Sequence, residues 1–115
     1  MITEEQKTLL KGHFVAIATV NNDGSPNLMV AEINDIPDEV TLVFTDNFMN
    51  RSKDNILRDG RICLTTWDEK GGFKVYGKAR YFTEGPWMEF LKPLNKDLPC
   101  KGAVVMTVES VISLG

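Results

Sequence analysis

Histidine occurs once in this chain of 115 residues, at His13, and cysteine only twice, at Cys63 and Cys100. One histidine with no convergent cysteines leaves too few ligands for a transition-metal site, and no Ser/His/Asp or Cys/His arrangement is present for nucleophilic catalysis. The cysteines lack a CxxC spacing. Cys63 sits in an apolar strand pattern and Cys100 follows Pro99, so both are expected as free thiols rather than as a zinc site or a redox pair. Positive charge is not in excess: 13 Lys and Arg face 16 Asp and Glu, a net charge of -3, which argues against a general nucleic-acid binder. There is no run of about eighteen apolar residues and no basic start followed by a short apolar segment, so neither a membrane span nor a signal peptide is expected and a cytoplasmic location follows by default. Linkers, internal repeats and low-complexity tracts are also missing. With 43% hydrophobic residues the chain reads as one domain over residues 1–115 with a single core.

What is present is a series of short strands separated by turns. Thr3-Glu4-Glu5-Gln6 has the spacing of a capping box and predicts a first helix carrying Leu9 and Leu10 inward and ending at Gly12. Phe14 to Val20 is apolar except at Thr19, as suits a central strand. Asn21-Asn22-Asp23-Gly24 then supplies a tight turn into a second strand, Asn27 to Ile33. A further turn over Asp35 to Asp38, with Pro37, leads to a third strand, Val40 to Thr45. Arg61 to Trp67 reads as the fourth, and Asp68 to Gly72 as a hairpin loop. In the fifth, Phe73, Val75, Ala79 and Tyr81 share one face, with Gly77 placed for a bulge. Pro86 opens a late helix with Trp87, Phe90 and Leu91 on one face, and the β-branched run from Ala103 to Leu114 closes the sheet. The expectation is a mainly β fold: a six-stranded antiparallel barrel with three short helices.

The stretch Thr45 to Arg58 is the part that points to chemistry. It leaves a strand and enters a helix, stopped at Gly60, through small polar and basic residues, with Ile56 and Leu57 expected to face inward. Free N–H groups and the positive dipole end at a helix start favour an anion, and Arg51, Ser52 and Lys53 add charged and hydroxyl donors. The same stretch also fits a solvated helix start, and it matches no Walker or dinucleotide glycine pattern. Trp67, beside a glycine-rich loop, is a candidate stacking platform or a packing residue. Trp87 reads as core. Glu32, polar within an apolar strand, either faces solvent at a barrel rim or borders a ligand laid along that strand.

In order and spacing these pieces resemble the flavin mononucleotide-binding split barrels, the superfamily of pyridoxamine 5′-phosphate oxidase and of small bacterial FMN-binding proteins. The resemblance rests on Val15 to Val20 with Asp23-Gly24-Ser25-Pro26, on Leu42 to Asn47, on Arg51-Ser52-Lys53 with Asn55-Ile56, and on Val75 to Ala79. It covers nearly the whole chain. It implies a split β-barrel that binds FMN, with the phosphate held by Arg51, Ser52 and Lys53. The flavin ring would lie beside Met29, Val30, Ala31 and Glu32, and the ribityl chain would be wrapped by Thr45, Asp46, Asn47, Phe48 and Met49. It further implies a homodimer with the flavin between subunits, which suits a barrel too small to enclose a tricyclic ring alone.

The resemblance is not uniform. Pyridoxamine 5′-phosphate oxidases finish with a basic segment that helps bind substrate phosphate, whereas this sequence finishes Ser110 to Gly115 with no charge after Glu109. The implied role is therefore that of the small FMN-binding proteins, electron transfer or flavin-dependent reduction. A dimeric module without catalysis, or a binder of another phosphorylated ligand such as a deazaflavin, is the alternative.

Overall fold

Thr3 and Gln6 cap each other in the computed structural model, which describes residues 1–114. The Gln6 N–H donates to Thr3 Oγ1 at 3.1 Å and the Thr3 N–H to Gln6 Oε1 at 3.0 Å, starting helix α1 (Glu4–Gly12) with its own side chains as partners. Leu10 is buried and Leu9 half-buried, as the spacing requires. Strands β1 (Val15–Val20) and β2 (Pro26–Ala31) form a hairpin over the Asn21 to Ser25 turn, where Gly24 takes a positive φ of 88°.

Strand β3 (Asp35–Asp38) is one more strand than the sequence reading expects, which makes seven strands rather than six. Its pairing with β4 (Thr41–Asp46) is short and broken by a register shift, and it lies at a sheet edge, where a proline such as Pro37 leaves no interior hydrogen bond unmade. Strand β5 (Arg61–Asp68) joins β6 (Gly71–Phe82) through the two residues Glu69 and Lys70 alone, so Gly71 and Gly72 belong to the strand and not to a long loop. The register slips between Tyr76 and Gly77, the bulge that the glycine suggested. Strand β7 (Gly102–Ser113) completes a single antiparallel sheet in the order β2-β1-β5-β6-β7-β4-β3, an open sheet consistent with a split barrel.

The main core lies inside the curved sheet and gathers Val15, Ile17, Leu42, Phe44, Leu64 and Val75, all closed to solvent. A smaller cluster on the other face of β4 and β7 joins Val43, Ala103 and Val105 to helix α3 (Pro86–Leu91), through Met88 and Leu91. Phe90, expected on the inner face of α3, is exposed, and Met88 takes its place. Trp87 is half-buried against this cluster.

Helix α2 (Arg51–Asp59) buries Ser52, Asn55 and Ile56, one i, i+3, i+4 stripe. Leu57, expected inward, is 59% exposed, because the stripe's third place beside Ile56 is held by Asn55. The Asn55 amide donates to Thr19 Oγ1 at 2.9 Å and to Asn21 Oδ1 at 3.0 Å, and its oxygen accepts from Arg58 at 3.1 Å. Gly60 ends the helix with φ 72° and lies so near β6 that a Cβ would stand 2.8 Å from the Ala79 carbonyl oxygen. The middle and the C-terminal end of α2 are thus fixed to the sheet, and Ser52 ties its first turn to Asn27 of β2. No helix among the described residues is long and apolar enough to cross a membrane.

Candidate functional site

The fixed start of α2 forms one end of a cavity of about 510 Å³. One wall is strand β2, an edge strand no residue of which is fully buried. A second wall is Thr45 with the segment from Asn47 to Ser52, and Phe14, Asn34, Asn95 and Leu98 close the remainder. The size suits a small molecule or cofactor.

Ten of the twelve residues singled out in the sequence meet at this cavity: Met29, Val30, Ala31 and Glu32 from β2 and its continuation, Thr45, Asn47, Phe48 and Met49 from the end of β4, and Arg51 and Ser52 from α2. Asp46 and Lys53 do not line it. Asp46 is fully buried, accepts from the Met49 N–H at 2.8 Å, and takes the hydroxyl hydrogen bond of Tyr81. Lys53 projects over the Tyr81 ring, 5.3 Å from its centroid. Burial, reinforced by the Asp46 carboxylate, holds the Tyr81 phenol above its ordinary pKa, so it stays a donor. Glycine at position 102 makes room for that ring, since a Cβ would stand 2.3 Å from it. Asp46 and Tyr81 therefore shape the loop that turns from β4 into α2. Trp67, the candidate platform, lies exposed at the end of β5, away from the cavity.

At the α2 end, Asn50 occupies the N-cap position but makes no side-chain capping hydrogen bond, and the first intrahelical bond runs from the Asp54 N–H to the Asn50 carbonyl. The N–H groups of Arg51, Ser52 and Lys53 therefore have no intrahelical partner, and no capping side chain takes them. Arg51 is exposed. Ser52 is not a free surface hydroxyl: it is 3% exposed, and its Oγ accepts from the Asn27 amide at 2.9 Å. Beyond Arg51 the β1–β2 turn brings up Asp23, whose carboxyl is held below the usual range by the Ser25 hydroxyl and N–H.

The other end is an amide network. Asn34 Oδ1 accepts from the Thr45 N–H and hydroxyl, both at 3.0 Å, and the Asn95 amide donates at 2.9 Å to Thr45 Oγ1 and to the Leu91 carbonyl. Asn27, Asn34 and Asn95, together with Phe14, Leu28, Asn50 and Leu98, are the lining residues that sequence reasoning missed. Asn50 lies within the Thr45 to Arg58 stretch, and Asn27 and Leu28 open the strand that carries Met29, so position in the sequence would have found these three. The rest are brought in by strand pairing and by a 3₁₀ turn over Lys92–Asn95, which leave no local signal.

The chain matches the family described as pyridoxamine 5′-phosphate oxidase over residues 2–113. It is 33% identical to an uncharacterized protein of Methanocaldococcus jannaschii, an alignment covering 98% of this chain and 80% of that protein. Among solved structures it is similar to HupZ of Group A Streptococcus, at 27% identity and a TM-score of 0.90 over 99% of this chain and 94% of that one. An FMN-binding protein of Syntrophomonas wolfei shares the fold at 15% identity and a TM-score of 0.82, covering 99% and 86% of the two chains. An F420 reductase does so at 19% and 0.74, covering 96% and 98%. With the family pattern running through all seven strands, this chain belongs to the pyridoxamine 5′-phosphate oxidase family.

Proposed function

We propose that the chain is an FMN-binding flavoprotein, working in electron transfer or flavin-dependent reduction as a cytoplasmic homodimer. The observation that carries this reading is the uncapped, basic start of α2 opening into one end of the cavity. Arg51 and the free N–H groups suit the FMN phosphate, with Ser52 positioned by Asn27 beside them. Along β2 the four steps from Asn27 to Ala31 span about 13 Å at the rise of an extended strand, a length over which a flat ring can lie. FMN supplies the redox chemistry when bound. The chain holds the phosphate and offers apolar walls through Met29, Phe14 and Phe48.

The same strand supports the dimer. Leu28 and Val30 are 72% and 67% exposed and belong to an outward face continued by Ala18, Cys63 and Tyr76 through the β1, β5 and β6 registers. Leu28 and Val30 also border the cavity. A second copy laid on this face would cover apolar surface and close the site together. An interface of this kind is expected to bury more than about 1,200 Å².

The F420 reductase neighbour keeps a deazaflavin as the second reading of the ligand. The visible spectrum of the purified protein, with identification of any released chromophore and a titration of apo protein with FMN, separates the readings. Saturable binding of FMN at micromolar concentration and a light-scattering mass of twice the chain support the proposal. Colourless protein that ignores FMN overturns it.

A further inference from the structure

We propose that Asn34 and Asn95 are specificity-determining residues that read a lactam edge, an adjacent ring C=O and N–H, of the molecule held in the cavity. The inference rests on the flavin reading above and extends it to the end of the ligand remote from the phosphate. It follows from partners that cannot reverse their roles. The Thr45 backbone N–H can only donate, so the Asn34 atom facing it is the oxygen, and the Asn34 NH₂ points the other way. The Leu91 carbonyl can only accept, so Asn95 turns its NH₂ toward it and toward Thr45 Oγ1, and its oxygen is left over. The Thr45 hydroxyl, accepting from Asn95, gives its proton to Asn34.

The outcome is two amides bridged by one hydroxyl, with a donor on Asn34 and an acceptor on Asn95 that have no partner among the described residues. Neither atom is sealed in, since no buried side-chain nitrogen or oxygen among the described residues lacks a partner, and both residues line the cavity. Asn95 is otherwise only 7% exposed. Asn34 and Asn95 meet at the Thr45 hydroxyl, and a donor left on one with an acceptor left on the other, on two residues that line the same cavity, complement a ring carbonyl and its neighbouring ring N–H. The pyrimidinedione edge of a flavin has that pair. Ligands lacking it leave both amide groups unpaired, which is the larger part of the discrimination.

Two variants test this on the purified protein. Asn34→Asp keeps an oxygen on the Thr45 N–H and hydroxyl while replacing the free donor with a second carboxylate oxygen. At about pH 8, well above the ordinary carboxyl pKa, it should weaken FMN and riboflavin by the same factor, about ten- to a hundred-fold. The second comparison uses N3-methylriboflavin, in which the ring N–H is blocked. Wild type should bind it about ten-fold or more weakly than riboflavin, and Asn95→Ala should reduce that preference to within about threefold. Unchanged affinity of Asn34→Asp for both flavins, or full discrimination retained by Asn95→Ala, overturns the inference while leaving the phosphate reading intact. If a variant does not fold, wild type decides: equal binding of riboflavin and its N3-methyl derivative overturns the inference. Wild type that binds no flavin overturns the functional reading itself.

Discussion

Helices α1 and α2 are both nine residues long, yet they begin in opposite ways. At α1 the sequence supplies its own partners, Thr3 and Gln6, and the helix start faces solvent as a closed element. At α2 Asn50 caps nothing, the following residues are basic and hydroxylic, and the start opens on a cavity. A helix start without its own cap is stable only if water or a ligand serves the orphan donors. Asn55, Arg58, which donates to the Val20 carbonyl at the end of β1, and Gly60 hold α2 to the sheet, so its start can stay open without the helix fraying. The difference is that α1 closes its own start, whereas α2 leaves its first N–H groups to water or a ligand.

The contrast breaks most visibly at Arg51. Charge-assisted hydrogen bonds contribute roughly 1.5–3 kcal/mol, so Arg51→Ala should weaken FMN by about one to two orders of magnitude. Riboflavin, lacking the phosphate, should bind the variant as it binds wild type, and paired isotherms for both ligands check this. Equal loss for both would place the phosphate elsewhere. Ser52→Ala should show a smaller loss of FMN accompanied by a lower melting temperature, because removing the buried hydroxyl releases Asn27.

The reciprocal change is at α1. Thr3→Ala should cost about 1 kcal/mol of folding stability, the usual cost of losing a cap, and should leave FMN affinity untouched. Denaturant unfolding and an FMN titration of the same preparation measure the two effects. A loss of FMN affinity here would mean that the two helix starts are coupled.

The smallest effect concerns the loop that presents the α2 start. The folded-state pKa of Tyr81 is raised, so its contribution to stability is whole below the unfolded phenol value of about 10 and is lost as pH rises beyond it. Wild type should lose stability more steeply than Tyr81→Phe from about pH 10 upward, and urea midpoints across that range give the two slopes. Parallel slopes would show that Asp46 and burial do not hold the phenol protonated.

Which parts were legible in the sequence follows the same division. The capping box, the Gly60 stop and the Gly77 bulge are short-range signals, in which neighbouring residues determine the geometry. The assembly of β2 with the Thr45 to Ser52 segment came from the family resemblance, whose order of motifs encodes the strand pairing. Strand β3 was missed because Pro37 reads as a turn, although an edge strand tolerates it. Leu57 and Phe90 were placed inward on hydrophobicity, whereas Asn55 and Met88 occupy the packed positions. The amide end was invisible: Thr45 and Asn95 meet across fifty positions, and an asparagine at the end of a short 3₁₀ turn carries no mark of the cavity it will face.

Strand β7 sits between β6 and β4, so the halves of the sheet are joined only through the last strand in sequence order. Thr41 pairs with Thr107 and Asp46 with Gly102, which means β4 has no barrel-side neighbour until β7 has been made and inserted. During synthesis β4, and with it the Thr45 wall, must wait while β1, β2, β5 and β6 already have one another. Pairings of such long range slow folding, and the cavity is among the last features to acquire its shape. FMN supplied to a refolding chain should therefore act after the rate-limiting step, slowing unfolding without accelerating folding.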